Sequence, residues 1–225
     1  MDGILIVDKP NGMTSHDVVD FIRKKFGISK VGHAGTLDPT VTGVLIILIG
    51  RATKLSARFA NDDKEYEATL ALGKKTDSGD AEGKVLFEDN YDKITEARIR
   101  DIFDSFKGEI EQVPPMVSAL KYRGKRLYEL ARRGEEAPRK PRVVHIKELK
   151  IKNIDIPHID FSVVCSKGTY IRKLCDDIGD KLGCGGHLSY LRRLRSGEFT
   201  LEKSATLEKL KSFSKDELEK HLLKI

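Results

Sequence analysis

The 225-residue sequence has no tryptophan and three cysteines, and its longest unbroken apolar run covers only residues 44–49. A run that short cannot cross a bilayer core, which takes about 20 helical residues. The N-terminus, Met-Asp-Gly-Ile-Leu-Ile-Val-Asp, lacks the basic head and long apolar stretch of a secretory signal. Cys165, Cys175 and Cys184 form no CxxC pair and cannot all be paired within one chain, as suits a reducing compartment. A soluble cytoplasmic protein with no membrane association is the expectation. Cys184-Gly-Gly-His187 has a ligand-like spacing but offers two ligands where zinc needs three or four, so no metal is expected. Residues 73–83 lack the glycine spacing of a P-loop, and Asp77 and Asp80 miss the ligand spacing of an EF-hand. That stretch reads as an exposed loop. Internal repeats and low-complexity linkers are absent.

What is present is a charged but globular composition, 34% charged against 39% hydrophobic, with length for one large domain or two small ones. The formal charge of +6 is uneven. Residues 121–142 carry nine Lys or Arg against three Glu, which leaves the remainder formally neutral. Basic residues concentrated in one segment form a candidate phosphate-binding element. Strands are expected at residues 3–8, 44–49, 65–72, 143–154 and 158–165. The run at 44–49, apolar on both faces, reads as buried. A helix capped by Thr14 or Ser15 carries Val18, Val19, Ile22 and Phe26 on one face and stops at Gly27. Further helices are expected over residues 95–106, around Leu127 to Ala131, after a Thr169 cap, and after a capping box at Ser214 to Glu217. Strands and helices that interleave, with hairpin-like strand pairs among them, predict a mixed α/β (α+β) domain on a mainly antiparallel central sheet.

The most informative stretch is Val31-Gly32-His33-Ala34-Gly35-Thr36-Leu37-Asp38-Pro39-Thr40. Its two glycines permit backbone conformations closed to other residues, and Pro39 pushes Asp38 toward an extended conformation. A carboxylate held on such a loop can act as nucleophile, base or metal ligand. The loop resembles the catalytic motif of the TruB family of tRNA pseudouridine synthases. Further blocks resemble that family in order: IVDKPNG at 6–12, KEYEATLALG at 64–73, PPMVSAL at 114–120, KGTYIR at 167–172 and YLRRL at 190–194.

The resemblance covers nearly the whole chain and implies a pseudouridine synthase fold, with residues 113–142 as a basic thumb that leaves the sheet to grip RNA. It implies Asp38 as the nucleophile, attacking C1′ of the ribose or C6 of the base. Tyr66 would stack on the flipped uracil, Leu191 would pack against it, and His33 would insert into the RNA near the vacated position. Tyr170 and Arg172 would line the pocket, with Arg172 pairing with Asp38. Arg123, Lys125, Arg126, Arg132 and Arg133 would meet the RNA backbone. No cofactor is implied. The implied partner is the T-arm stem-loop of tRNA, modified at uridine 55, with no guide RNA and a monomeric protein. Family members usually continue into a PUA domain, and residues 1–225 are expected to be the catalytic domain without one. A non-catalytic T-loop binder or RNA-folding chaperone, and a synthase for another uridine, are the rival expectations.

Overall fold

The computed structural model describes residues 1–224. In chain order it opens with β1 (Gly3–Lys9), α1 (Ser15–Phe26), β2 (Val31–Ala34), β3 (Thr42–Ile49), a 3₁₀ turn (Gly50–Leu55), α2 (Ser56–Ala60) and β4 (Lys64–Leu72). Then come β5 (Lys74–Thr76), β6 (Val85–Glu88), α3 (Glu96–Asp104), β7 (Gly108–Gln112), β8 (Lys121–Tyr122), β9 (Lys125–Arg126) and α4 (Leu127–Ala131). The chain continues through β10 (Arg142–Asp155), β11 (His158–Cys165), α5 (Ile171–Leu182), β12 (Gly186–Ser196) and β13 (Phe199–Thr200). It finishes with β14 (Ala205–Thr206), α6 (Leu207–Ser212) and α7 (Lys215–His221). Two compact units result: residues 1–67 with 191–225, and residues 68–190. Most strand pairs in them are antiparallel, as the mixed α/β reading expected.

The first unit is built on β3. Alternate side chains of a strand point to opposite faces. Leu45, Ile47 and Ile49 enter one core with α1, while Val44, Ile46 and Leu48 enter a second with Phe59 and Phe199. Burial on both sides explains why the run is apolar without alternation. β1 lies antiparallel to β3 along its whole length, from Gly3 opposite Ile49 to Lys9 opposite Gly43. β2 pairs the last four residues of β3, and β12 runs parallel to its start with Arg193 opposite Gly43. Thr14 caps α1 in a reciprocal capping box with Asp17, and Gly27 ends the helix in the left-handed conformation.

The second unit has the strand order β4-β11-β10-β7. Ile99 and Phe103 of α3 are buried, and Phe103 meets Phe161 of β11 edge-on at 5.4 Å. The segment 113–142 has a small core of its own, with Leu127, Leu130 and Ala137 buried and Met116, Leu120 and Tyr122 packed on them. Cys165, Cys175 and Cys184 are all buried, and none is in a disulfide.

Three local expectations are corrected. Thr169 does not cap α5: its hydroxyl donates back to Ser166 O at 2.9 Å, and Tyr170 occupies the cap position without a side-chain bond. The 95–106 helix is shorter, with Thr95 as its cap and Asp104 its last residue. Residues 73–83 are not simply an exposed loop, because β5 pairs with β6 and the buried Thr76 donates to Asp80 O at 2.7 Å.

One glycine marks the closest backbone approach in the first unit. Gly43 has φ +103, and a Cβ there would stand 2.1 Å from Arg193 O. Gly43→Ala combines a left-handed conformation with a backbone overlap, so stability should fall by about 3 kcal/mol or more. Thermal unfolding should show a Tm lower by on the order of 10 °C. A Tm within about 2 °C of the parent would mean that the two strands separate more easily than their register implies.

Candidate active site

In the first unit the chain between β2 and β3 carries Asp38, half-buried, and several backbone groups on either side of it are hydrogen-bonded. Gly35 O accepts from Arg193 Nη2 at 2.8 Å. The Ser15 hydroxyl accepts from Leu37 N–H at 2.8 Å and donates to Leu37 O at 3.1 Å. Pro39 O accepts from Lys9 Nζ and from Gly12 N–H, both at 3.0 Å. Asp38 O accepts from Val41 N–H at 3.1 Å, which closes the turn. A segment rich in glycine, and so costly to order, is thus fixed on both sides of its carboxylate by the end of β1, the start of α1 and β12.

Lys9 is fully buried, an unusual place for a lysine. Its ammonium donates to Pro10 O, Met13 O and Pro39 O at 2.9, 2.6 and 3.0 Å, one carbonyl for each N–H. Burial pulls its pKa down to about 8, the Asp38 carboxylate pushes it up, Arg193 pushes it down and Asp17 pushes it up. Tyr66 of β4 and Leu191 of β12 are half-buried on the core that also holds Leu37 and Val41, the apolar neighbours of Asp38. His33 lies half-buried in β2. Asp38, His33, Tyr66 and Leu191 therefore belong to one unit and, His33 apart, to the margin of one core.

In the second unit, Arg172 is 5% exposed at the start of α5. Its Nη1 donates to Ser78 O at 2.8 Å, its Nη2 to Val117 O at 2.7 Å, and its Nε stands 3.7 Å from Asp80. It joins the loop after β5, the root of the basic segment and α5. Tyr170 is gripped through its backbone: its N–H donates to Gln112 Oε1 at 3.0 Å and its carbonyl accepts from Gln112 Nε2 at 3.3 Å. Arg123, Lys125, Arg126, Arg132 and Arg133 are all exposed. Arg123 lies 5.3 Å from the Tyr122 ring, and Arg126 and Arg132 flank Tyr128 at 5.9 and 5.6 Å. These stacked guanidinium groups keep their outward edges available to phosphate.

Sequence reasoning missed Lys9, Ser15, Arg193 and Gln112. Lys9 looked like part of a turn signal, and Ser15 like a possible helix cap. The carboxylates of Asp176, Asp177 and Asp180 converge closely enough for a metal. Lys75 meets Asp176 and Asp180 at 3.1 and 2.6 Å, and Lys173 meets Asp176 and Asp177 at 2.7 and 2.6 Å, so the group reads as an ion-pair network. Cys184 and His187 face backbone carbonyls of Gly185 and Lys74 at 3.4 and 3.0 Å. Among the described residues no helix is long and apolar enough to cross a membrane.

The serine latch is directly testable. Ser15→Ala removes both hydrogen bonds to the buried Leu37 backbone. An unsatisfied buried N–H costs about 1–3 kcal/mol, so urea unfolding should show that loss. An unchanged midpoint with an unchanged slope would show that the hydroxyl is dispensable.

Comparison with known proteins shows what this chain is similar to. Residues 23–171 match the TruB family pseudouridylate synthase N-terminal domain, and residues 172–225 match the tRNA pseudouridylate synthase B C-terminal domain. The tRNA pseudouridine synthase B of Syntrophotalea carbinolica is 49% identical over all of this chain and 74% of its own length. That of Opitutus terrae is 45% identical over all of this chain and 93% of its own. Among solved structures, a chain of a Cbf5-Nop10-Gar1 complex superposes with a TM-score of 0.74 at 34% identity, covering 94% of this chain. A chain of an H/ACA RNP bound to a substrate RNA containing 2′-deoxyuridine gives 0.72 at 30% identity, covering 99%. This chain spans 54% and 56% of those two solved chains. The protein belongs to the TruB family of pseudouridylate synthases.

Proposed function

We propose that the protein is a stand-alone tRNA pseudouridine synthase that isomerises the T-loop uridine at position 55. The observation that carries the reading is the strapped Asp38 loop, in which Lys9, Ser15 and Arg193 occupy carbonyls on both sides of one carboxylate. A protein that only binds RNA has no use for a carboxylate held this firmly in a basic setting. Relatives 45–49% identical over the whole chain carry the name tRNA pseudouridine synthase B, which supports tRNA as the substrate.

The reaction breaks the N1–C1′ bond, forms a C5–C1′ bond, releases the C5 proton and places one on N1. It is redox-neutral and balances without a cofactor. The uridine is extruded from the loop, at a cost of a few kcal/mol in lost stacking. Asp38 then supplies its electron pair, to C1′ or to C6, and either route needs the unprotonated carboxylate. Tyr66 offers a ring to the flipped base and Leu191 an apolar contact beside it, since both border the core next to the Asp38 loop. His33 fills the vacated stack, and Tyr170 and Arg172 take the roles that the family resemblance implies for them. The exposed arginines and Lys125 of residues 113–142 meet stem phosphates. A monomer in the cytoplasm that needs no guide RNA completes the proposal.

The test compares native protein with Asp38→Asn on full tRNA and on an isolated T-arm hairpin, reading pseudouridine chemically. Native protein should convert both RNAs. The variant should convert neither, yet bind tRNA within about tenfold of native affinity, or 1.4 kcal/mol. Turnover by the variant would remove Asp38 as nucleophile, and failure on the hairpin alone would extend recognition beyond the T-arm.

A further inference from the structure

Arg193 is 1% exposed, although an arginine carries its charge at every accessible pH. Its Nε donates to Val44 O at 2.7 Å and its Nη2 to Gly35 O at 2.8 Å. These two carbonyls stand on opposite sides of Asp38 in the chain, one before the loop and one after it. Gly35 has φ +73, and a Cβ there would lie 3.3 Å from Nη1, so glycine lets the guanidinium close against the loop's backbone. Both hydrogen-bond acceptors are neutral. A buried cation held by carbonyl dipoles alone carries a desolvation penalty that nearby negative charge must offset.

Lys9, buried beside it, presents the same situation with three carbonyl acceptors. The charged groups that act on Lys9 are Asp38 in the loop, Arg193 on β12 and Asp17 on α1. Two buried cations thus share a loop whose own charge is a single carboxylate.

We propose that Arg193 is a positioning residue for the reaction. It straps the two ends of the catalytic loop together, and its charge and that of Lys9 are balanced by the Asp38 carboxylate, so that the loop keeps its reactive shape only while all three are ionised. The proposal rests on Asp38 being the nucleophile. It predicts that the reaction has an alkaline limit of structural origin. Protonated Lys9 has an N–H for each of its three carbonyls, whereas the neutral amine has two and must release one. Arg193 cannot deprotonate, so Lys9 is the cation of the pair that can give up its proton as the pH rises. As the pH rises through about 8, Lys9 loses its proton, the loop loosens and the rate falls.

The coupling has a signed test. Lysine side chains carrying ¹³C at Cε, in the full-length protein, report the midpoint of Lys9. Arg193→Met removes a repelling charge and should raise that midpoint, while Asp38→Asn removes an attracting one and should lower it. At pH 7, kcat of Arg193→Met on tRNA should fall about a hundredfold, the loss expected for a displacement near 1 Å. Its RNA affinity should stay within about threefold, because the side chain is buried. The alkaline limb of its rate profile should move upward with the Lys9 midpoint. Arg193→Lys keeps the charge without the two-pronged donor and should recover part of the rate. If Arg193→Met does not fold, Arg193→Lys carries the rate test and Asp38→Asn the midpoint test. Midpoints unmoved in the folded variants, or a rate loss matched by lost RNA affinity, would overturn the strap. Shifted midpoints with an active Asp38→Asn would overturn the nucleophile reading instead, leaving the charge coupling in place.

Discussion

Side-chain donors aimed at backbone carbonyls hold the Asp38 loop, and much of the first unit exists to deliver them. Gly35, Leu37, Pro39 and Val44 each give up a carbonyl to a side chain from elsewhere in that unit. β1 ends at the residue that places Lys9 under Pro39, and α1 begins at the residue that places Ser15 against Leu37. β12 runs parallel to the start of β3, which sets Arg193 opposite Gly43 with its side chain between the two ends of the loop. Arg192, one residue earlier, binds Asp8 at 2.7 Å and Thr42 at 3.3 Å, tying β12 to β1 and β3. The apolar sheet beneath, with β3 buried on both faces, makes this frame stiff enough for buried cations. Charge removed from water in this way is costly unless its partners are fixed, and here they are.

The second unit repeats the principle with different residues. Gln112 grips Tyr170 through its backbone, and Arg172 gathers Ser78, Asp80 and Val117 around the start of α5. Both anchor points adjoin the segment 113–142, so its root is tied to the structure that carries Tyr170 and Arg172. Beyond the root, the segment rests on a few apolar side chains of its own and presents its cations to solvent. Rigidity at the root with exposed charge at the tip suits a surface that meets a polyanion of variable shape.

Patterned features were legible in the sequence. The unbroken apolar run announced β3, and the 3.6-residue spacing of Val18, Val19, Ile22 and Phe26 announced α1. The Asp38 loop stood out by its glycines, its Asp-Pro pair and its resemblance to a known family. Lys9, Ser15, Arg193 and Gln112 did not. Each acts through a contact with residues 22 to 158 positions away, and a polar side chain carries no periodicity that reveals such a partner. Lys9-Pro10-Asn11-Gly12 was read from local chemistry as a turn, and the lysine's distant acceptor changes its meaning. Thr169 failed as a cap for a local reason: its hydroxyl donates to Ser166 O, three residues behind it, instead of the helix ahead.

The central claim, that this loop isomerises one uridine of the T-loop, is tested most directly by following the hydrogen on C5. Replacing the C5–H bond by C5–C1′ must release that hydrogen to water, whichever carbon Asp38 attacks. With tRNA tritiated at C5 of its uridines, the account predicts release of one equivalent per tRNA. It predicts none when the T-loop target is replaced by cytidine. No release by folded protein on folded tRNA, or release that persists after the replacement, would contradict it.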